Sequence, residues 1–137
     1  MFKAIALGAP YIKTVCIGRA TLGAAMVGKS NGEKLHKEHS DANEYQEALE
    51  RTFVNVGKLR GKYGKDFDKI PPAAIGMYNY YDRLAVGMQQ LMAGARKFSL
   101  NLIDRSDLVS LTREAAEISG IPYIMDADKE EVEKILN

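Results

Sequence analysis

The feature that most constrains this chain is one apolar segment with strand composition, standing alone among helical sequence. Tyr11–Ile17 places Tyr, Ile, Thr, Val and Ile within seven residues and ends at Gly18. A lone strand leaves its backbone N–H and C=O groups unpaired along both edges. We therefore expect this strand to belong to a sheet whose other strands lie elsewhere, or to pair with a second copy of the chain.

The rest of the chain predicts a mainly α fold, a helical bundle of four to five helices with one or two short strands. The second strand is the "PYIM" stretch that begins at Pro122. Asp41, with Glu44 three residues later, has the pattern of a helix N-cap. After the last turn of a helix at Ala4–Leu7, the predicted helices are Thr21 to Lys29 or Lys37, Asp41 to Gly61, Ala73–Phe98, Arg105–Ser119 and Asp128–Leu136. Gly8 and Gly120 are predicted to end the helices that precede them, and Asp104 to cap the helix that begins at Arg105.

Two apolar stripes at 4-3 spacing are predicted to face partner surfaces. Three glycines in the longest predicted helix each cost roughly 1 kcal/mol relative to Ala, so close approach of another backbone is expected there. The stripes are Tyr45, Leu49, Val56, Leu59 and Tyr63, then Met77, Tyr81, Leu84, Met88, Leu91, Ala95 and Phe98; the glycines are Gly76, Gly87 and Gly94.

Size and composition narrow the functional classes. The 137 residues predict a single domain, residues 1–137. A formal net charge of +1 gives no electrostatic case for nucleic acid or for an acidic membrane. No apolar run approaches the ~20 residues that span a bilayer. Cys16 is the only cysteine, which excludes an internal disulfide framework and fits a reducing interior. We expect a cytoplasmic protein.

Two neighbouring stretches are candidates for phosphate binding. "GAAMVGKS", Gly23–Ser30, matches the Walker A pattern, but it does not directly follow the strand and its surroundings have helical composition. We interpret it as helix. "TVCIGRA", Thr14–Ala20, instead combines a strand, a glycine and a helix N-terminus, whose N–H groups at Arg19 and Ala20 would point at a phosphate. The alternative is an ordinary strand-to-helix turn.

Two other groups of residues are candidates for chemical sites. Glu33 and His36 form one E-x-x-H unit and His39 follows, but a di-iron site needs a second such unit and further carboxylates. No metal site is predicted, and these residues are interpreted as a polar helix end. Cys16 lies in the apolar strand, where a buried, inert thiol is expected.

Longer stretches of the chain resemble a known family. "KAIALGAPYIKTVCIGRATLGAAMVGK", Lys3–Lys29, resembles the end of the FMN-binding (β/α)8 barrel of the glutamate synthase family, where a helix ending in an "A-LGA" phrase leads into the eighth strand and a G-[RT]-A turn follows. Gly76–Leu100 and Leu102–Asp128 resemble the C-terminal helical extension of glutamate synthase-related proteins. The resemblance implies that residues 1–30 form the last barrel strand and helix, and residues 41–137 a helical extension.

For a complete protein, the resemblance implies FMN and the formation of glutamate from 2-oxoglutarate and glutamine or ammonia. It assigns Gly18, Arg19 and Ala20 to the turn next to the FMN phosphate. Family members place seven strands, most flavin contacts and the cysteine ligands of an iron–sulfur cluster before the point where this chain begins. No catalytic residue is therefore carried over, and no cofactor is expected on this chain alone.

Two hypotheses about function remain open. The leading one is a C-terminal fragment or subunit of a glutamate synthase-like FMN-dependent oxidoreductase, inactive alone. The alternative is a non-catalytic helical module that acts by self-association or regulation. The expected partners are a second copy of this chain or a chain that carries the rest of the barrel.

Overall fold

A computed structural model describes residues 1–12 and 14–136, and the secondary structure within them is helical. The predicted mainly α fold is confirmed, with seven α-helices in the described residues where four to five were expected. They are α1 (Phe2–Gly8), α2 (Arg19–Glu38), α3 (Ala42–Thr52), α4 (Val56–Tyr63), α5 (Pro72–Gly94), α6 (Arg113–Ser119) and α7 (Lys129–Leu136), with 3-10 helices at Gly64–Lys69, Leu100–Leu102 and Arg105–Asp107.

The chain divides into two compact units. Cys16–Gly87 forms the central unit, and Met1–Val15 with Met88–Asn137 forms the terminal unit. The single domain of residues 1–137, with its 1–30 and 41–137 segments, stays a prediction.

The central unit contains an apolar core built on α3, α4, the 3-10 helix Gly64–Lys69 and α5. Asp41 caps α3 as predicted, since its carboxylate accepts hydrogen bonds from the N–H groups of Asn43 and Glu44 at 2.8 and 3.2 Å. Partly buried Leu35, from α2, packs against this core. Its buried members are Leu49, Phe53, Val56, Leu59, Phe67 and Ile75.

The single helix predicted from Asp41 to Gly61 breaks into α3 and α4. The break lies at Phe53, whose side chain is only 5% exposed and enters the core. Its N–H closes α3 on the Leu49 carbonyl, and its own carbonyl accepts the N–H of Val56 as α4 begins. Burial of this aromatic side chain therefore outweighs the helical propensity of the sequence around it.

Helices α2 and α5 approach so closely that only glycine fits at the crossing. A β-carbon at Gly28 would lie 2.6 Å from the Pro72 carbonyl oxygen and 3.0 Å from the Gly76 Cα. One at Gly76 would lie 2.6 Å from the Ala24 carbonyl oxygen. The close approach predicted for Gly76 is confirmed.

The apolar stripe predicted along α5 is only partly buried, and the partner surface expected for it stays a prediction. Tyr81, Leu91 and Phe98 belong to that stripe and are exposed, while the fully buried Ile75 lies outside it. The helix also ends at Gly94 rather than at Phe98. The close contact between α2 and α5 is made by backbone atoms at glycines. A pattern of large apolar side chains therefore does not reveal where this contact lies.

The predicted strands are wrong for the described residues. Residues 11–12 and 14–17 lie in turn or irregular backbone, and Lys13 lies outside the described residues. In "PYIM", only Tyr123 takes part in pairing, as an isolated parallel bridge with Ser110. A strand needs neighbours to pair with, and the described part of the chain supplies one such bridge.

In the terminal unit, helix caps and turns are more prominent than buried apolar contacts. Asp104 caps the 3-10 helix Arg105–Asp107 rather than the long helix predicted from Arg105, and α6 begins later, capped by the Thr112 hydroxyl. Gly120 ends α6 as predicted, in the left-handed conformation with φ 65°. In the part of the chain that is described, no helix has the length and apolarity needed to cross a membrane.

Candidate functional site

The turn assigned to the FMN phosphate lies at the start of α2. Gly18 is the N-cap residue, and Arg19 and Ala20 are the first two residues of the helix. All three are exposed. A β-carbon at Gly18 would meet no described atom within 4 Å, so nothing at that position obstructs a ligand that approaches the backbone. The structure therefore places the three predicted residues together at one helix end.

This helix end carries N–H groups without a side-chain acceptor. The first four N–H groups of an α-helix have no intrahelical partner, and the first backbone bond of α2 runs from the Leu22 N–H to the Gly18 carbonyl at 3.2 Å. The first turn of α2 has no acidic residue, whereas α3 is capped by the carboxylate of Asp41. An open helix N-terminus of this kind favours an anion.

A hydrogen-bonded chain joins this turn to α5. The Thr21 hydroxyl donates to the Ile17 carbonyl at 3.1 Å, and the Tyr81 hydroxyl lies 2.8 Å from the same Thr21 oxygen. A threonine hydroxyl has one proton. Because that proton goes to Ile17, Tyr81 must be the donor to Thr21. The backbone just before the helix is thereby fixed from α5, close to the glycine crossing of α2 and α5.

The Walker A match is helix, as interpreted from the sequence. Gly23–Ser30 lies wholly within α2, so no glycine-rich loop is present to wrap a phosphate. Gly28 is needed by the contact with α5. Lys29 lies 3.8 Å from Glu33, one helical turn further on, in an exposed ion pair. The Walker A match is therefore a stretch of helix in which Gly28 packs against α5.

The histidines at the end of α2 have ordinary packing contacts. His36 meets the Tyr45 ring edge-on, with centroids 5.5 Å apart. The Nδ1 of His39 lies 3.8 Å from the Glu44 carboxylate. Among the residues described, no group of three or more His, Cys, Asp or Glu side chains is placed to hold a metal ion.

The expectation of a buried Cys16 thiol is wrong, because this side chain is exposed. The expectation depended on a strand within an apolar sheet. The described residues around Cys16 form no strand, so no second layer covers the thiol.

Two hydrogen-bonded ionic clusters stabilise the units internally. In the central unit, Lys58 binds Asp82 at 2.9 Å and the Asn55 amide donates to the same carboxylate at 3.2 Å. The hydrogen bond from Lys58, followed by that from Asn55, lowers the pKa of Asp82. The Asp82 hydrogen bond in turn raises the pKa of Lys58. This cluster ties the start of α4 to α5.

In the terminal unit, Lys97 lies 3.0 Å from Asp104 and 2.9 Å from Asp107. The Ser106 hydroxyl and the Lys97 ammonium donate to Asp104 and lower the pKa of its carboxyl to about 2. Hydrogen bonds to Asp107 and then to Asp104 raise the pKa of Lys97. The cluster fixes the segment after α5.

Comparison with known proteins leaves the family open: no family model, no curated protein and no solved structure matches this chain. The glutamate synthase-like assignment therefore stays a proposal.

Sequence reasoning missed Tyr81 as a contact of the turn. It was counted with the apolar stripe of α5, and a hydroxyl that reaches a residue sixty positions away leaves no local pattern. The helix start after Gly18 was found, because a glycine followed by a helical run is visible in the sequence.

Proposed function

We propose that this chain is the C-terminal part of a glutamate synthase-like, FMN-dependent oxidoreductase and supplies the turn that binds the flavin phosphate. The observation that carries the proposal is the open N-terminus of α2, with Gly18, Arg19 and Ala20 at its start. These residues fit a phosphate, since they offer free N–H groups, an unobstructed backbone and one guanidinium without a nearby acid in the first turn. Bound FMN would supply the hydride chemistry.

The proposal also requires a partner surface that carries the remaining barrel strands. Exposed apolar side chains support it: Tyr11 is 87% exposed, and Leu22 and Met26 on α2 are 63% and 64% exposed. A helix that follows a barrel strand buries one apolar face against the sheet. We therefore propose that the chain acts joined to that barrel, in the cytoplasm, and that it retains no FMN by itself.

The phosphate site can be tested on the chain alone. Inorganic phosphate at millimolar concentration should shift the NMR amide signals of Gly18, Arg19 and Ala20, in a saturable way. Ala20→Glu places a carboxylate in the first turn of α2, which should abolish the response while stabilising the helix. Ser30→Glu, an exposed position further along the same helix, is the control and should leave the response intact. Equal responses in both variants would contradict the proposed site.

The flavin role needs a reconstitution experiment. A glutamate synthase-like barrel truncated before its last strand should regain stoichiometric flavin absorbance when refolded with this chain. The Ala20→Glu chain should associate with the barrel but restore little FMN. A barrel that binds this chain and gains no flavin would refute the oxidoreductase assignment.

The second candidate function is a self-associating helical module. The observation that favours it is the uncovered apolar face of α7, a helix with no buried residue. Sedimentation at micromolar concentration tests it, since this candidate expects a stable dimer of the chain without any barrel partner.

A further inference from the structure

Helix α7 presents an apolar face that nothing described in this chain covers. Val132, Ile135 and Leu136 are 48%, 82% and 77% exposed. They stand at i, i+3 and i+4, so they share one side of the helix. A helix of eight residues is too short to be stable by itself in water and depends on packing of its apolar face. The helix therefore requires a surface to dock against.

The central unit contains a groove of matching character, with a volume of about 460 Å³. Tyr45, Pro71, Pro72 and Ala73 supply apolar lining. Pro72 packs closely against α2 in this groove, because a β-carbon at Gly32 would lie only 2.4 Å from the Pro72 ring. A preformed apolar groove of this kind accepts the apolar face of an amphipathic helix.

The rim of the groove and the helix have complementary charge. Lys29, His36 and Lys37 line the groove with a single acid, Glu33. Helix α7, Lys129–Leu136, carries three carboxylates and two lysines, a formal net charge of −1. The two lysines and one glutamate of the groove lining give a formal net charge of +1, with Lys29 already paired to Glu33. The net charges of helix and rim are therefore opposite in sign, which favours the correct orientation.

We infer that this groove receives α7 of a second copy of the chain, in a two-fold exchange that buries both helices. Two-fold symmetry lets each copy contribute one helix and one groove, so the same contact is made twice. The inference deepens the self-association candidate and does not depend on flavin binding. It names the surface and the segment that would make the dimer.

The helix side is tested by sedimentation velocity on the full chain at micromolar concentration. Ile135→Asp should weaken the dimer by about tenfold or more, since a charge replaces an apolar anchor in a desolvated groove. Ile118→Asp, on α6, is the matched control, because Ile118 is 81% exposed and Ile135 is 82% exposed. It should leave the dimer unchanged. Circular dichroism of both variants verifies that folding is intact.

The groove side is tested by charge reversal. Lys37→Glu should weaken the dimer, and Lys34→Glu, on the same helix but outside the groove lining, should not. Adding Glu131→Lys to Lys37→Glu should restore part of the lost affinity if the two side chains meet across the interface.

Three outcomes would overturn the inference. A dimer insensitive to Ile135→Asp forms through another surface, and self-association would stand without this contact. A dimer weakened by Ile135→Asp and not by Lys37→Glu places α7 on a different surface. A wild-type monomer whose stability falls with Ile135→Asp means that α7 docks within its own chain, which removes the self-association candidate as well.

Discussion

The central and terminal units differ in how much apolar surface each buries by itself. Among the described residues, the central unit buries seven hydrophobic side chains: Ala48, Leu49, Phe53, Val56, Leu59, Phe67 and Ile75. The terminal unit buries three, Ala6, Ile103 and Ile121, although it contains most of the large exposed apolar side chains, among them Tyr11, Phe98, Leu111, Ile118, Met125, Ile135 and Leu136.

This contrast separates two roles within one chain. A unit with a contiguous core supplies its own hydrophobic stabilisation. A unit that leaves most of its large apolar side chains in water gains less stability from burial and depends more on its caps and ion pairs. The central unit is thus the stable support of the proposed phosphate turn, and the terminal unit contains the larger share of the apolar side chains left for partners.

The largest effect on stability is expected for a buried isoleucine of the central unit, compared with an exposed isoleucine of the terminal unit. Ile75→Ala removes a side chain that is 0% exposed in the central core and should destabilise the protein by about 2–5 kcal/mol. Ile118→Ala in α6, at 81% exposure, should change the stability by less than about 0.5 kcal/mol. Urea denaturation monitored by circular dichroism measures both. Similar losses at the two positions would show that the units do not differ as described.

The next effect concerns the glycine crossing of α2 and α5. Gly28→Ala places a β-carbon against the Pro72 carbonyl and the Gly76 Cα, and overpacking of this kind costs about 1–3 kcal/mol. Gly23→Ala, in the same helix with no atom within 4 Å of the added carbon, should stabilise the protein by up to about 1 kcal/mol. Thermal unfolding should therefore move in opposite directions for the two variants. A gain in Tm with Gly28→Ala would mean that the helices can separate without loss.

Local signals in the sequence predicted the structure best. The Asp41 cap, the end of α1 at Gly8, and Gly120 as the stop of α6 depend on a few adjacent residues, and each is found. The α2–α5 contact was only half predicted: Gly76 lies at the crossing, but a β-carbon at Gly87 or Gly94 would meet nothing within 4 Å. A glycine in a helix does not indicate by itself which backbone will approach it.

The predictions that were wrong depend on contacts with residues far away in the sequence or in another chain. Tyr11–Ile17 has strand composition, yet composition does not provide the neighbouring strand that pairing requires. The burial of Cys16 failed for the same reason. Of the candidate site, the helix start at Gly18–Ala20 was predictable from local pattern. Its link to Tyr81 was not, since it depends on how α5 packs.

A smaller effect is expected at two left-handed residues of the terminal unit. Arg96 has φ 55°, and the chain closes α5 there through N–H bonds from Arg96 to Ala93 and from Lys97 to Met92, the pattern of a Schellman motif. Arg96→Gly should raise the stability by about 1 kcal/mol, because a β-carbon is unfavourable in this conformation. Gly120→Ala, at φ 65°, should lower it by a similar amount. If both substitutions raised the stability, or both lowered it, the left-handed conformation would not be what determines stability at these two residues.

The smallest expected effect is a dependence of the terminal unit on acid. The Ser106 hydroxyl and Lys97 lower the pKa of Asp104 to about 2 from an ordinary value of 3.8. A carboxyl whose pKa is lowered by folding stabilises the protein above the unfolded pKa. That contribution should be present above about pH 4 and be lost as the pH falls toward 2. Asp104 is largely exposed, and solvent screening keeps the effect small.

Asp104→Asn isolates the charge, since asparagine still caps a helix start. The variant should lose part of the decline in Tm between pH 4 and pH 2, while Glu130→Gln on the exposed α7 should retain it. The NMR amide signal of Ser106, which donates to Asp104 at 2.8 Å, reports the same titration locally. If the Ser106 signal titrates near pH 4 instead of near pH 2, then Lys97 and Ser106 do not lower the pKa of Asp104. The segment after α5 would then lack its internal restraint, and the terminal unit would depend on a partner still more than its uncovered apolar side chains indicate.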